Sequence, residues 1–85
     1  MIEVKVTETH IRNGVKGDAG CCAIALALQE KFPGKSIEVD GESACVGDDR
    51  FCLPAEAEAF IINFDAGTPV DPIEFKMEKY YEEYD

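Results

Sequence analysis

From Ile2 to Thr7 apolar and polar residues alternate, with Ile2, Val4 and Val6 on one side and Glu3, Lys5 and Thr7 on the other. A period of two is that of a strand with one face buried. Thr7 can cap a short helical turn in TETHIRNG, which Asn13 and Gly14 would close as a left-handed stop. After the loop VKGDAG the period lengthens, because Cys21, Ile24, Ala25, Leu28 and Phe32 fall at helical spacing and Pro33-Gly34 ends the run. Ala23, Leu26 and Ala27 make the rest of this helix apolar as well. It should therefore pack on more than one side, at the centre of the fold or in a dimer contact.

The segment SIEVDGESACVGDDRFCLP reads as a three-strand meander, with a first tight turn at Asp40-Gly41 and a second near Asp48-Asp49. Those turns put Ile37, Val39, Ala44, Val46, Phe51 and Leu53 on one face, and Glu38, Asp40, Ser43, Cys45, Arg50 and Cys52 on the other. Pro54 suits the first turn of a second helix, Ala57, Phe60, Ile61 and Phe64 form its apolar stripe, and Gly67 supplies its stop. PIEFKM alternates again and directs Ile73, Phe75 and Met77 inward. The expected fold is α+β: a single antiparallel sheet of about five strands, in chain order β-α-β-β-β-α-β, with two helices packed on one face. Residues 1–78 would form this one domain and residues 79–85 an acidic aromatic tail. The outer sheet face would be open, carrying Glu3, Lys5, Glu38, Arg50, Glu74 and Lys76.

Charge narrows the partners. Eighteen acidic residues against eight basic ones give a net charge of −10 over 85 residues. Such a surface repels a phosphate backbone or an anionic bilayer, so no direct nucleic-acid or membrane contact is expected, and a basic protein surface suits it better. With 46% hydrophobic residues the chain has enough apolar material to fold. No signal-peptide pattern opens the sequence and no window approaches a membrane span. A cytoplasmic location is expected, where the four cysteines would be thiols.

Several residues could carry chemistry. Cys21 and Cys22 stand at the start of a helix, where a thiol pKa falls, and His10, the single histidine, could serve as a base. On the helical wheel Cys21 lies in the apolar stripe as a small hydrophobe and Cys22 on the exposed flank, so Cys22 is the candidate for thiol chemistry. The loop of Lys16, Gly17, Asp18 and Gly20, with His10 and Cys22 beside it, could hold a small anion or nucleotide on free N–H groups, although it lacks the phosphate-loop pattern. Asp18 is more simply an N-cap. With a turn at Asp48-Asp49, Cys45 would face Cys52 within reach of a disulfide. The cysteine spacing does not match a zinc knuckle, nor does DGESACVGDD match a calcium loop, so no metal or cofactor is expected. In the tail, Tyr80, Tyr81, Glu82, Glu83 and Tyr84 are candidates for contact with a partner.

Two stretches, VTETHIRNGVKGDAGCCAIALAL and RFCLPAEAEAFIINFDAGTPVDPIEF, resemble a group of small uncharacterised proteins of bacteriophages and prophages. The group shows a strand leading to a His-Ile turn, then a cysteine before an alanine- and leucine-rich helix, with a Pro where this chain has Cys22. The resemblance carries no assigned activity. It implies a host-cell cytoplasm and a small acidic protein that inhibits host machinery, such as a defence or nucleic-acid-handling protein, by binding it. The expectation from sequence is a non-enzymatic interaction protein, with a homodimer as one form. The alternatives are an anion or nucleotide binder over Gly17–Cys22 and, more weakly, thiol chemistry at Cys22.

Overall fold

The computed structural model describes residues 1–80. In chain order the elements are β1 (Ile2–Val6), α1 (Glu8–Asn13), α2 (Ala23–Lys31), β2 (Ile37–Val39), β3 (Ser43–Val46), β4 (Asp49–Cys52), α3 (Ala55–Asp65) and β5 (Ile73–Lys79). The strands make one antiparallel sheet in the order β1-β5-β4-β3-β2. The fold is α+β. β5, the last strand in sequence, lies inside the sheet between β1 and β4, so the two halves of the sheet join only through the end of the described chain.

Alternation decides which face is buried. Val4 and Val6 of β1, Ile37 and Val39 of β2, Ala44 and Val46 of β3, Phe51 of β4 and Phe75 and Met77 of β5 all enter one core cluster. α2 contributes Ile24 and Leu28, both without solvent contact, and α3 contributes Ala57, Phe60 and Phe64, the two rings stacked with centroids 5.9 Å apart. The outward residues Glu3, Lys5, Glu38, Arg50, Glu74 and Lys76 are exposed, as alternation requires. Ser43 is the exception, buried where the Asp40 carboxylate accepts its N–H and O–H at 2.7 and 2.9 Å.

Five details differ from the sequence reading. First, the Thr7 turn is a full helix, giving three helices among the described residues instead of two. α1 packs on α2, and this neighbour accounts for the apolar excess of α2. Second, Gly14 does not close α1 in the left-handed region: its φ is −69°. A glycine is needed there for space, since a Cβ would stand 2.7 Å from the Ala23 nitrogen and 2.9 Å from the Phe64 ring.

Third, α2 starts at Ala23 with Cys22 as its N-cap, so the helical wheel does not extend back to Cys21. Cys21 is exposed and Cys22 is buried, the reverse of the expectation. Fourth, the second hairpin turns at Gly47-Asp48, with Val46 opposite Asp49 and Gly47 at φ +61°. Glycine alone in the left-handed region at the first loop position is the mark of a type II′ hairpin. Cys45 therefore faces Arg50 and Cys52 faces Ser43, and all four cysteines are free thiols. The offset from the expected register is two residues, an even number, so every inward residue kept its face. Fifth, Gly41 has no positive φ; the first hairpin is closed by Asp40 Oδ1, which accepts the N–H groups of Glu42 and Ser43 at 2.9 and 2.7 Å.

β5 continues through Lys79, and Tyr80 N–H donates to Arg50 O at 2.7 Å while its ring lies under the Arg50 guanidinium. Tyr81, Glu82, Glu83 and Tyr84 lie outside the described residues.

Candidate functional site

The loop from Val15 to Cys22 is held by its own groups. Asp18 N–H donates to Val15 O, Asp18 O accepts from Cys21 and Cys22, and Asp18 Oδ1 accepts the Gly20 N–H at 3.0 Å. Gly17, at φ +73°, donates to Asp65 Oδ1 of α3 at 2.9 Å. The Cys22 Sγ then accepts from Ala25 N–H at 3.5 Å, the bond a serine would make as an N-cap. The N–H groups expected to hold an anion are largely engaged by carboxylates, carbonyls and one sulfur of the chain itself.

Between this loop, α3 and the β2–β3 turn lies a cleft of about 330 Å³. Cys22, Ala23, Ile24, Val39, Phe60 and Phe64 form its apolar walls. Asp18, Asp40 and Asp65, all exposed, come to it from three separate elements, and no Lys or Arg lines it. Ile61 and Ile62 of α3 also border it; Ile62 is 67% exposed, one of the few large apolar side chains left to solvent. Lys16, expected beside the loop, does not line the cleft, and its ammonium lies near Gly67. Tight bonds from Glu42 N–H and from Ser43 hold the Asp40 carboxyl below the usual carboxylate range, with the Arg50 charge adding to them.

Cys22 is 6% exposed, and burial pushes its thiol pKa up despite the N–H groups of Ala25 and Ile24 that face it; the Asp65 charge raises it further. A protonated, buried sulfur is a poor nucleophile. His10 does not approach it. The His10 ring is buried at the other end of α2, where Nε2 bonds Glu30 Oε2, and Nδ1 accepts the Thr7 N–H at 3.0 Å. Eight residues of helix, about 12 Å at 1.5 Å each, separate Cys22 from Glu30.

Thr7 Oγ1 also lies 3.2 Å from Nδ1, so Thr7, His10 and Glu30 line up as a hydroxyl, an imidazole and a carboxylate. The resemblance to a catalytic relay ends at Nδ1, whose single lone pair already accepts the Thr7 N–H. The group is a capping box in which histidine takes the place of Glu or Gln. No group of three or more His, Cys, Asp or Glu among the described residues is arranged to hold a metal ion, and no described helix is long and apolar enough to cross a membrane.

Sequence reasoning missed Glu30, Asp40, Asp65 and Ile62 as site residues. Glu30 partners His10 across twenty residues, and Asp65 meets Gly17 across 48, so no local pattern marks either. Exposure of Ile62 has a faint signal in the run FII, where two adjacent isoleucines cannot both face the core of one helix. No family model, no curated protein and no solved structure matches the chain.

Proposed function

We propose that this chain is a non-enzymatic binding protein whose cleft takes a basic, partly apolar segment of a protein partner. The observation that carries the reading is the cleft itself: apolar walls, an exposed Ile62 at its border, three carboxylates and no cation. An apolar anchor would fill the walls while adjacent Lys or Arg side chains meet Asp18, Asp40 and Asp65, the arrangement that gives an interface both area and orientation. The net charge of −10 acts in the same direction by steering a basic partner toward the surface. A host protein is the natural partner if the chain comes from a phage or prophage, as the resemblance in residues 6–28 and 50–75 implies.

The test uses a fluorescent peptide of leucine and lysine and its counterpart in which glutamate replaces lysine. The basic peptide should bind, lose affinity as salt is raised, and bind several-fold more weakly to the double variant Asp18→Asn/Asp65→Asn and to Ile62→Ser. Failure of the basic peptide to bind, or equal binding of both peptides, overturns the reading.

A further inference from the structure

Among the described residues the sheet has two edge strands, β2 and β1, and they are treated differently. β2 has three residues, and its Val39 N–H donates to Ala19 O at 2.8 Å, so the Gly17–Gly20 loop covers that edge. β1 forms the other edge. All five of its residues pair with β5 on one side, and among the described residues no protein hydrogen bond reaches its outer side. Three consecutive β1 residues, Glu3, Val4 and Lys5, line a groove of about 450 Å³ with Ala27, Glu30 and Lys31 of α2. Consecutive strand residues point to opposite faces, so a groove that touches all three runs along the backbone edge. An open edge of this length is a template for another strand.

We propose that β1 pairs antiparallel with β1 of a second copy of this chain, about a two-fold axis at Val4, so that the two five-stranded sheets become one. The choice of occupant and register rests on charge and parity. Directly opposed residues of an antiparallel pair share a face, so Val4 and Val6 must oppose inward residues, and Glu3 and Lys5 outward ones. A two-fold centred on Glu3 sets that carboxylate against its own symmetry mate, and one centred on Lys5 does the same with two ammonium groups. Centred on Val4, all five residues are paired: Ile2 opposite Val6, Glu3 opposite Lys5, and Val4 opposite Val4.

The charges then continue across the sheet. Within one chain Glu3 faces Lys76 and Lys5 faces Glu74. Across the proposed axis one row reads Lys76, Glu3, Lys5 and Glu74, alternating in sign over four strands. Copies that each carry −10 repel, and β1, with one acid and one base outward, is a balanced part of the surface. A two-fold interface must be self-complementary, and the sequence Ile-Glu-Val-Lys-Val is.

The proposal rests on the β1 edge and stands apart from the cleft. Sedimentation and light scattering of the full chain from about 1 μM to 1 mM should show a mass rising to twice 9.4 kDa. Over the same range, hydrogen exchange of the wild-type chain should show β1 amides gaining protection, a readout that needs no variant. Lys5→Glu makes the outward face of β1 all acidic and Glu3→Lys makes it all basic; each opposes like charges twice and should weaken pairing by roughly tenfold or more. Mixing the two variants restores opposite charges at both positions and should restore the dimer as a heterodimer. Each substitution also sets a like charge beside β5, so circular dichroism checks the fold, and if either unfolds the exchange experiment decides. A wild-type chain monomeric throughout, a dimer indifferent to both substitutions, a mixture of folded variants that stays monomeric, or unchanged β1 exchange overturns the proposal.

Discussion

Replacing Gly14 by alanine tests whether this glycine serves space or conformation. Its φ of −69° and ψ of 149° are open to any residue, so alanine brings no backbone strain, and the Gly14 N–H can still reach His10 O. What alanine adds is a methyl carbon 2.7 Å from the Ala23 nitrogen, 2.9 Å from the Phe64 ring and 3.0 Å from the Ala23 Cα. Neither neighbour yields easily, because Ala23 begins α2 with no exposure and Phe64 is buried against Phe60. Overpacking of this kind costs about 1–3 kcal/mol. Alanine also restricts the unfolded chain, which returns about 0.4–1 kcal/mol. The net is a loss of about 1–2 kcal/mol, or a Tm lower by roughly 5–15 °C for a chain of this size.

Gly41→Ala is the matched control. Gly41 has no positive φ and open space for 4 Å around where a Cβ would stand, so only the unfolded-state effect acts and the Tm should rise by a few degrees. Thermal melts and urea titrations followed by circular dichroism measure both. If Gly14→Ala is as stable as wild type, or if the two substitutions move Tm in the same direction by the same amount, the packing argument is wrong.

Iodoacetamide followed by mass spectrometry should label Cys21 and Cys52 first, Cys45 more slowly and Cys22 only on unfolding, because burial shields Cys22 and raises its thiol pKa. His10→Ala should cost about 0.5–2 kcal/mol by removing the capping-box acceptor of the Thr7 N–H, and His10→Gln should recover part of it; Glu30→Ala should cost less than about 1 kcal/mol, since the Glu30 side chain is 75% exposed. Urea titrations of the three variants check this order. The Asp40 carboxyl has a folded pKa below its unfolded value of about 3.9, so its contribution is complete above that value and is lost as pH falls through the folded pKa. Asp40→Asn should therefore be less stable than wild type at pH 7, with the gap closing below about pH 4 in a pH series of urea titrations.

The strand faces were legible because alternation survives any even error in register. A turn at Gly47-Asp48 in place of Asp48-Asp49 changes the pairing by two residues, which keeps Phe51 and Val46 inside but separates Cys45 from Cys52. Face depends on parity alone, whereas a cross-strand contact depends on the turn residue, and Gly47 decided it through its positive φ. The two cysteines failed for a different reason. A helical stripe holds only within the helix, and Cys21 lies two residues before the start of α2, where Cys22 turns inward to cap and Cys21 turns out. The cleft had no local signature at all. Its carboxylates come from positions 18, 40 and 65, and only the packing of the α2 start against α3 and the β2–β3 turn brings them to one opening.

Those three carboxylates also give a glycine-bracketed loop before a helix the opposite charge from a phosphate loop. In a phosphate loop the N–H groups stay free and gather positive potential for an anion. Here Asp65 bonds the Gly17 N–H, Asp18 bonds the Gly20 N–H, and Asp40 bonds those of Glu42 and Ser43. These four donors are matched by full negative charges, the other engaged N–H groups of the loop go to carbonyls and the Cys22 sulfur, and Asp18 and Asp65 use only Oδ1, leaving Oδ2 without a protein hydrogen bond among the described residues. The local balance is negative. It adjoins apolar walls of low polarizability, where a charge acts over a longer reach than in water. The bonds that fix the loop are thus the ones that set the sign of the cleft. Removing a carboxylate to neutralise the cleft also loosens the loop, and the asparagine variants, which keep an acceptor oxygen, separate the two effects.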